Sequence, residues 1–160
     1  MSISMLSPLA IDGTTPASSR RKARLAAVAS AVLAALAYWL VAELVFGIDL
    51  RAPAFDASGT ALPISAPNVL IVATLLSLAG WGALALLERL TQRARRAWLV
   101  VAPLALLLSL ATPLSGSGVT SADRIALLGM HLVVGAVLIA ALARTSPSRG
   151  RPQTIHHANG

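Results

Sequence analysis

Four residues of this sequence combine a reactive side chain with a place inside or beside a long apolar run: Glu43, Ser109, Arg124 and His131. A carboxylate and an imidazole at membrane depth are costly unless they pair or face a bundle interior, so Glu43 and His131 are natural partners. Desolvation penalises the charged carboxylate and a neighbouring imidazole restores it, the pattern of a site that exchanges protons near neutral pH. The same pair, or Glu43 with Arg124, would equally serve as a plain tie between two helices. Arg124 stands seven residues before His131 and so shares nearly the same helix face. A polar stripe therefore descends from Arg124 to His131, with Gly135 leaving space beneath it.

Other candidate chemistry is weaker. Ser109 lies in LLLSLATPL, which has no glycine-bearing nucleophile turn and no evident oxyanion hole, so the expected role of its hydroxyl is a bond back to the carbonyl of Ala105. His156 and His157 are adjacent near the C-terminus, a poor geometry for a closed metal site. The sequence has no cysteine, which excludes disulfides, thiolate nucleophiles and Cys-ligated metals. The expectation is a protein without catalytic residues, metal or cofactor, and not an enzyme.

The elements that carry these residues follow from composition. Of 160 residues, 56% are hydrophobic and 12% charged, far from the balance of a soluble domain. Residues 25–46, 68–87, 97–114 and 124–143 form four apolar runs, each near the length needed to cross a bilayer as a helix. Hydrocarbon offers the backbone no partners, so the runs must be helical, and short connections make sequential neighbours antiparallel. The fold class is all-α: an integral membrane four-helix transmembrane bundle over residues 20–144. Residues 1–19 and 145–160, rich in Ser, Pro, Thr and Gly, read as disordered tails. Gly47 to Pro67, with three prolines and a glycine inside it, reads as an extended loop. Pro103 is expected to kink the third span.

Charge gives an orientation. Arg20, Arg21, Lys22 and Arg24 precede span one, Arg89, Arg93, Arg95 and Arg96 join spans two and three, and Arg144, Arg149 and Arg151 follow span four. The opposite side holds only Arg51 and Arg124. This asymmetry puts both termini in the cytoplasm of a bacterial plasma membrane, with Arg144 and the first two groups against anionic headgroups. Nothing in the pattern suggests nucleic acid. With that topology Glu43 lies roughly 5 Å, Ser109 roughly 6 Å and His131 roughly 10 Å below the outer ends of their spans, all in the outer leaflet. Small residues four apart, Ala27, Ala31 and Ala35, Ala79 and Ala83, and Ala136 and Ala140, offer the faces for helix contact. Trp98 falls at an inner interface, and Trp39 and Trp81 fall deeper than an aromatic belt.

Several short motifs, Glu43 to Arg51 ending in GIDLR, AGWG at Ala79 to Gly82, ERLT at Glu88 to Thr91, SLATP at Ser109 to Pro113 and MHL at Met130 to Leu132, together resemble a family of small four-span actinobacterial membrane proteins known only as a domain of unknown function. The resemblance runs from about Arg24 to Arg144. It implies a membrane location and four helices, and it brings no activity, cofactor or site residue. Three functions are in view, in this order: a non-enzymatic accessory or interaction bundle, alone, as a homo-oligomer or with a membrane partner; a proton-linked small-solute carrier using the Glu43 and His131 pair; and a membrane-embedded enzyme.

Overall fold

The computed structural model describes residues 17–54, 59–115 and 117–146. Residues 1–16 and 147–160, which include most of both expected tails and His156 and His157, lie outside the described residues.

Among the described residues four helical spans form the fold. Helix α1 is Ala17–Leu44, α2 is Ala66–Leu90, α3 is Ala94–Ser109, α4 is Ala111–Ser115 and α5 is Ser121–Thr145. Helices α3 and α4 together make the third span, Ala94–Ser115, and all four spans are long and apolar enough to cross a membrane. A 25-residue helix such as α2 or α5 is about 37 Å long, more than the roughly 30 Å hydrocarbon layer. The surplus lies largely where both terminal segments and the α2–α3 turn meet, called here the basic end. There the helices run past the apolar core into flanks rich in Arg, a good helix former. Ala17, Ser18, Ser19 and Thr145, expected in the tails, are therefore helical.

Local chemistry sets the helix ends. Pro67 stands in the first turn of α2, where its missing N–H is not needed. Helix α5 opens with a capping box in which Thr120 and Asp123 each accept from the other's backbone N–H, at 3.2 and 2.9 Å. This is why the span starts at Ser121, three residues before its apolar run. Helix α3 continues through Pro103, and the break in the span comes at Leu110 instead. Pro113 accounts for the position, since its ring clashes with a carbonyl four residues back, that of Ser109.

Helix α1 packs chiefly on α5 and α2, α3 packs on α5 and α2, and α2 touches α5 only slightly across the diagonal. Ala27, Ala31 and Ala35 form the buried seam of α1, as their spacing implies. The other expected small-residue faces are corrected. Helix α2 buries Val69, Ala73, Ser77 and Leu84, and α5 buries Ala126, Leu127, Leu142 and Ala143. Ala79, Ala83, Ala136 and Ala140 are exposed. At 100° per residue Ala79 is about 200° round the helix from Ser77, and Ala136 about 180° from Leu127. The spacing was right for contact, but the stripe faces outward. Large apolar residues such as Leu33, Leu75, Leu76 and Leu108 also face outward, as lipid-facing positions do.

The opposite, loop end is closed by the α1–α2 connection. Gly47, left-handed at φ 61°, turns the chain out of α1. Strands β1 (Arg51–Ala52) and β2 (Leu62–Pro63) pair antiparallel, and Ala54 pairs with Ser117 from the α4–α5 connection. Leu50, 1% exposed, plugs the bundle among Ala42, Ala126 and Leu127. Trp39 reaches from α1 with its Nε1 donating to the carbonyl of Ile64 at 3.0 Å. Gly118 (φ 79°) packs against the backbone of Gly59 and Ala61, where a Cβ would stand 2.6 Å from the Gly59 oxygen.

Two expectations follow for thermal unfolding in detergent. Gly118→Ala strains a left-handed turn and meets backbone, so it should destabilise by about 1–3 kcal/mol. Ser77 is 1% exposed and its hydroxyl has no hydrogen-bond partner. Ser77→Ala should therefore be neutral or stabilising by about 1 kcal/mol; a loss of stability there would mean that the hydroxyl is bonded.

Candidate functional site

The polar side chains gather at the two ends of the bundle and are used differently at each. At the basic end Arg24 on α1 donates through Nη2 to both oxygens of Glu88 on α2, at 2.6 and 2.7 Å. The two side chains are 11% and 22% exposed, so this is an ion pair largely withdrawn from solvent. The fourth span joins it. Arg24 Nε donates to Thr145 Oγ1 at 3.4 Å, and Ser146 Oγ donates to Glu88 Oε1 at 3.4 Å. One guanidinium and one carboxylate thus bind α1, α2 and the end of α5.

Arg24 had been expected to face lipid headgroups, and this is corrected. It continues the buried face of Ala27 and Ala31, three and seven residues on, and Glu88 stands four residues beyond buried Leu84. Topology alone puts the start of span one beside the end of span two. Opposite charges on two inward faces at one depth were the available signal for the pair.

Span three docks beside it through its own donors. Arg95 Nε donates to the carbonyl of Ala143 at 3.2 Å, satisfying one of the last acceptors of α5. Trp98, expected at an interface with the headgroups, is 3% exposed and donates through Nε1 to the Ile139 carbonyl at 3.2 Å. It packs among Ala27, Leu84, Ala102 and Leu142 in the core next to this end. Arg20, Arg21 and Lys22 are exposed on α1, Arg89 and Arg144 occupy the last turns of α2 and α5, and Arg93 and Arg96 flank the start of α3. Arg89 and Arg144 are favoured by the negative ends of α2 and α5, in whose last turns they sit. Between the helix ends lies an open basin of about 900 Å³, whose wall includes Arg20, Arg89, Arg93, Arg95 and Arg96.

At the loop end the four residues first singled out each find a partner close by or none. His131 Nδ1 is 2.8 Å from the carbonyl of Leu127, one turn back on its own helix. Ser109 Oγ donates to Leu106 at 2.7 Å, one residue nearer than expected. Arg124 Nη1 donates to the carbonyls of Pro113 and Leu114 at 2.9 and 2.6 Å, capping the end of α4. Glu43, half-buried in the last turn of α1, has no ion pair or side-chain hydrogen bond among the described residues. No bond joins Glu43 to His131 or to Ser109. The space expected beneath His131 is filled, since a Cβ on Gly135 would stand 2.6 Å from a methyl group of Leu106.

Compared with known proteins, residues 15–148 match the model described as Family of unknown function (DUF6069). Among curated proteins and solved structures nothing matches the chain.

The contrast between the two ends is measurable. Glu88→Ala leaves the Arg24 guanidinium buried without its carboxylate and should lower stability by about 2 kcal/mol, whereas Glu43→Ala should change it by less than about 0.5 kcal/mol. A cycle with Arg24→Ala should give a coupling of about 1–2 kcal/mol in chemical unfolding in mixed micelles. Equal losses at Glu43 and Glu88 would contradict this ordering.

Proposed function

This chain belongs to the DUF6069 family of unknown function, and from that premise we propose that it is a non-enzymatic accessory or interaction bundle of a bacterial plasma membrane, with both termini cytoplasmic. The observation that carries the reading is how the intramembrane polar groups are spent. His131 and Ser109 are bonded to carbonyls of their own helices, and Arg124 holds the end of α4. Such bonds satisfy polar atoms within the bundle; they do not aim them at a shared ligand.

Orientation rests on the clustering of basic residues at one end. That end carries Arg20, Arg21, Lys22, Arg89, Arg93, Arg95, Arg96 and Arg144, and a cytoplasmic leaflet rich in anionic lipid suits it. Its exposed guanidiniums and open basin offer the surface on which an interaction protein would act.

The competing carrier has a direct test. The purified chain is reconstituted in proteoliposomes loaded with a pH-sensitive dye, and a proton gradient is imposed with and without candidate solutes. The accessory reading expects leak rates equal to those of empty liposomes, unaltered in Glu43→Gln and His131→Ala. Flux above that background, lost in either variant, would replace it with the carrier. Reporter fusions should place both termini on the cytoplasmic side, and a periplasmic terminus would reverse the orientation.

A further inference from the structure

We propose that the basin at the basic end is a binding site for the headgroup of an anionic lipid that carries two phosphates. This rests on the orientation proposed above only for which leaflet supplies the lipid; the site itself follows from its wall.

Among the described residues five guanidiniums, those of Arg20, Arg89, Arg93, Arg95 and Arg96, line the basin, and they come from α1, α2, the α2–α3 turn and α3. The one carboxylate among those lining residues is Glu88, already engaged by Arg24 at 2.6 Å. The wall is therefore an excess of positive charge with its internal counter-ion taken. Arg95 is fixed by its Nε on Ala143, so one guanidinium is already positioned. No side chain caps the start of α3, whose N-cap is Arg93, and the positive end of that helix adds to the field.

Size and setting select the ligand. About 900 Å³ is at the upper end of small-molecule sites and much larger than one phosphate group needs. Guanidinium forks match phosphate oxygens in pairs, and two phosphates held a few ångströms apart would engage more of the ring than one. Leu90, 72% exposed, also lines the basin. An apolar side chain beside the arginines suits the glycerol and upper acyl carbons of a lipid, and a free polyphosphate has no use for it. Basic pockets between transmembrane helices at this level bind such headgroups in general.

The test uses the full chain in neutral-detergent micelles, with bound lipid counted by native mass spectrometry. The probes are short-chain diphosphatidylglycerol, phosphatidylglycerol, phosphatidylcholine and inorganic pyrophosphate. Diphosphatidylglycerol should bind about tenfold or more tightly than phosphatidylcholine and more tightly than phosphatidylglycerol. At about 1 kcal/mol for each basic residue, Arg89→Gln with Arg96→Gln should weaken it by about tenfold or more. Arg51→Gln makes a charge change at the loop end and should leave affinity within about twofold. If the double variant loses its helical spectrum, the single variants carry the test, each with about a threefold or greater loss. Equal weakening by Arg51→Gln would reduce the effect to bulk charge and overturn the site. Equal binding of phosphatidylcholine, or displacement of the lipid by pyrophosphate at comparable concentration, would overturn the lipid assignment. These outcomes are separate from the flux measurement, which reads the loop-end residues and not this basin.

Discussion

Hydrocarbon cannot complete a hydrogen bond, and that constraint governs where every polar atom of this protein sits. Backbone groups are satisfied by helices, and the few polar side chains within the spans are largely turned back onto their own backbone or onto a neighbour's. Ser109 and His131 bond to carbonyls three and four residues earlier, and the indoles of Trp39 and Trp98 bond to carbonyls of another element. Among the described residues Ser77 departs from this as a buried hydroxyl with no partner, and half-buried Glu43 makes no side-chain hydrogen bond. What remains for contact between helices is shape: alanines on α1 that let α2 and α5 approach closely.

The ends complete what shape begins. At the basic end a guanidinium and a carboxylate from different spans lock together and recruit two hydroxyls at the end of the last span. At the loop end backbone pairing does the same work, through β1 with β2 and Ala54 with Ser117. One closure is ionic and the other is made of main-chain hydrogen bonds. The difference agrees with the charge distribution along the chain, in which the loop end is nearly free of basic residues.

The four spans were legible because length and apolarity alone decide them, and the α1 seam was legible as a spacing of four at Ala27, Ala31 and Ala35, although Ala26, Ser30 and Ala34 repeat that spacing one residue away. The faces of α2 and α5 were not. A spacing of four says that two small residues share a face, not that the face turns inward, and on α2 and α5 only the partner helix decides that. Helix ends were hidden for another reason: arginine and glutamate stop an apolar run without stopping a helix. At the candidate sites, attention went to ionisable groups in the middle of apolar sequence. Glu88 and Arg24 stand at the edges of their runs, where charge looks like ordinary flanking sequence. Their significance lies in facing each other across 64 residues, a relation that appears only when spans are laid side by side.

The two closures also differ in when they become available during synthesis. Arg24 and Glu88 both lie in the first helical hairpin, α1 with α2, so the ion pair needs nothing that is made later. The pairing of Ala54 with Ser117 needs the connection that leads into the fourth span. An early hairpin with its charges already neutralised against each other can wait in the bilayer as a stable unit, while the loop end stays open to admit the second hairpin. The pairing of the two loop connections can then come only after the one that leads into the fourth span has been made.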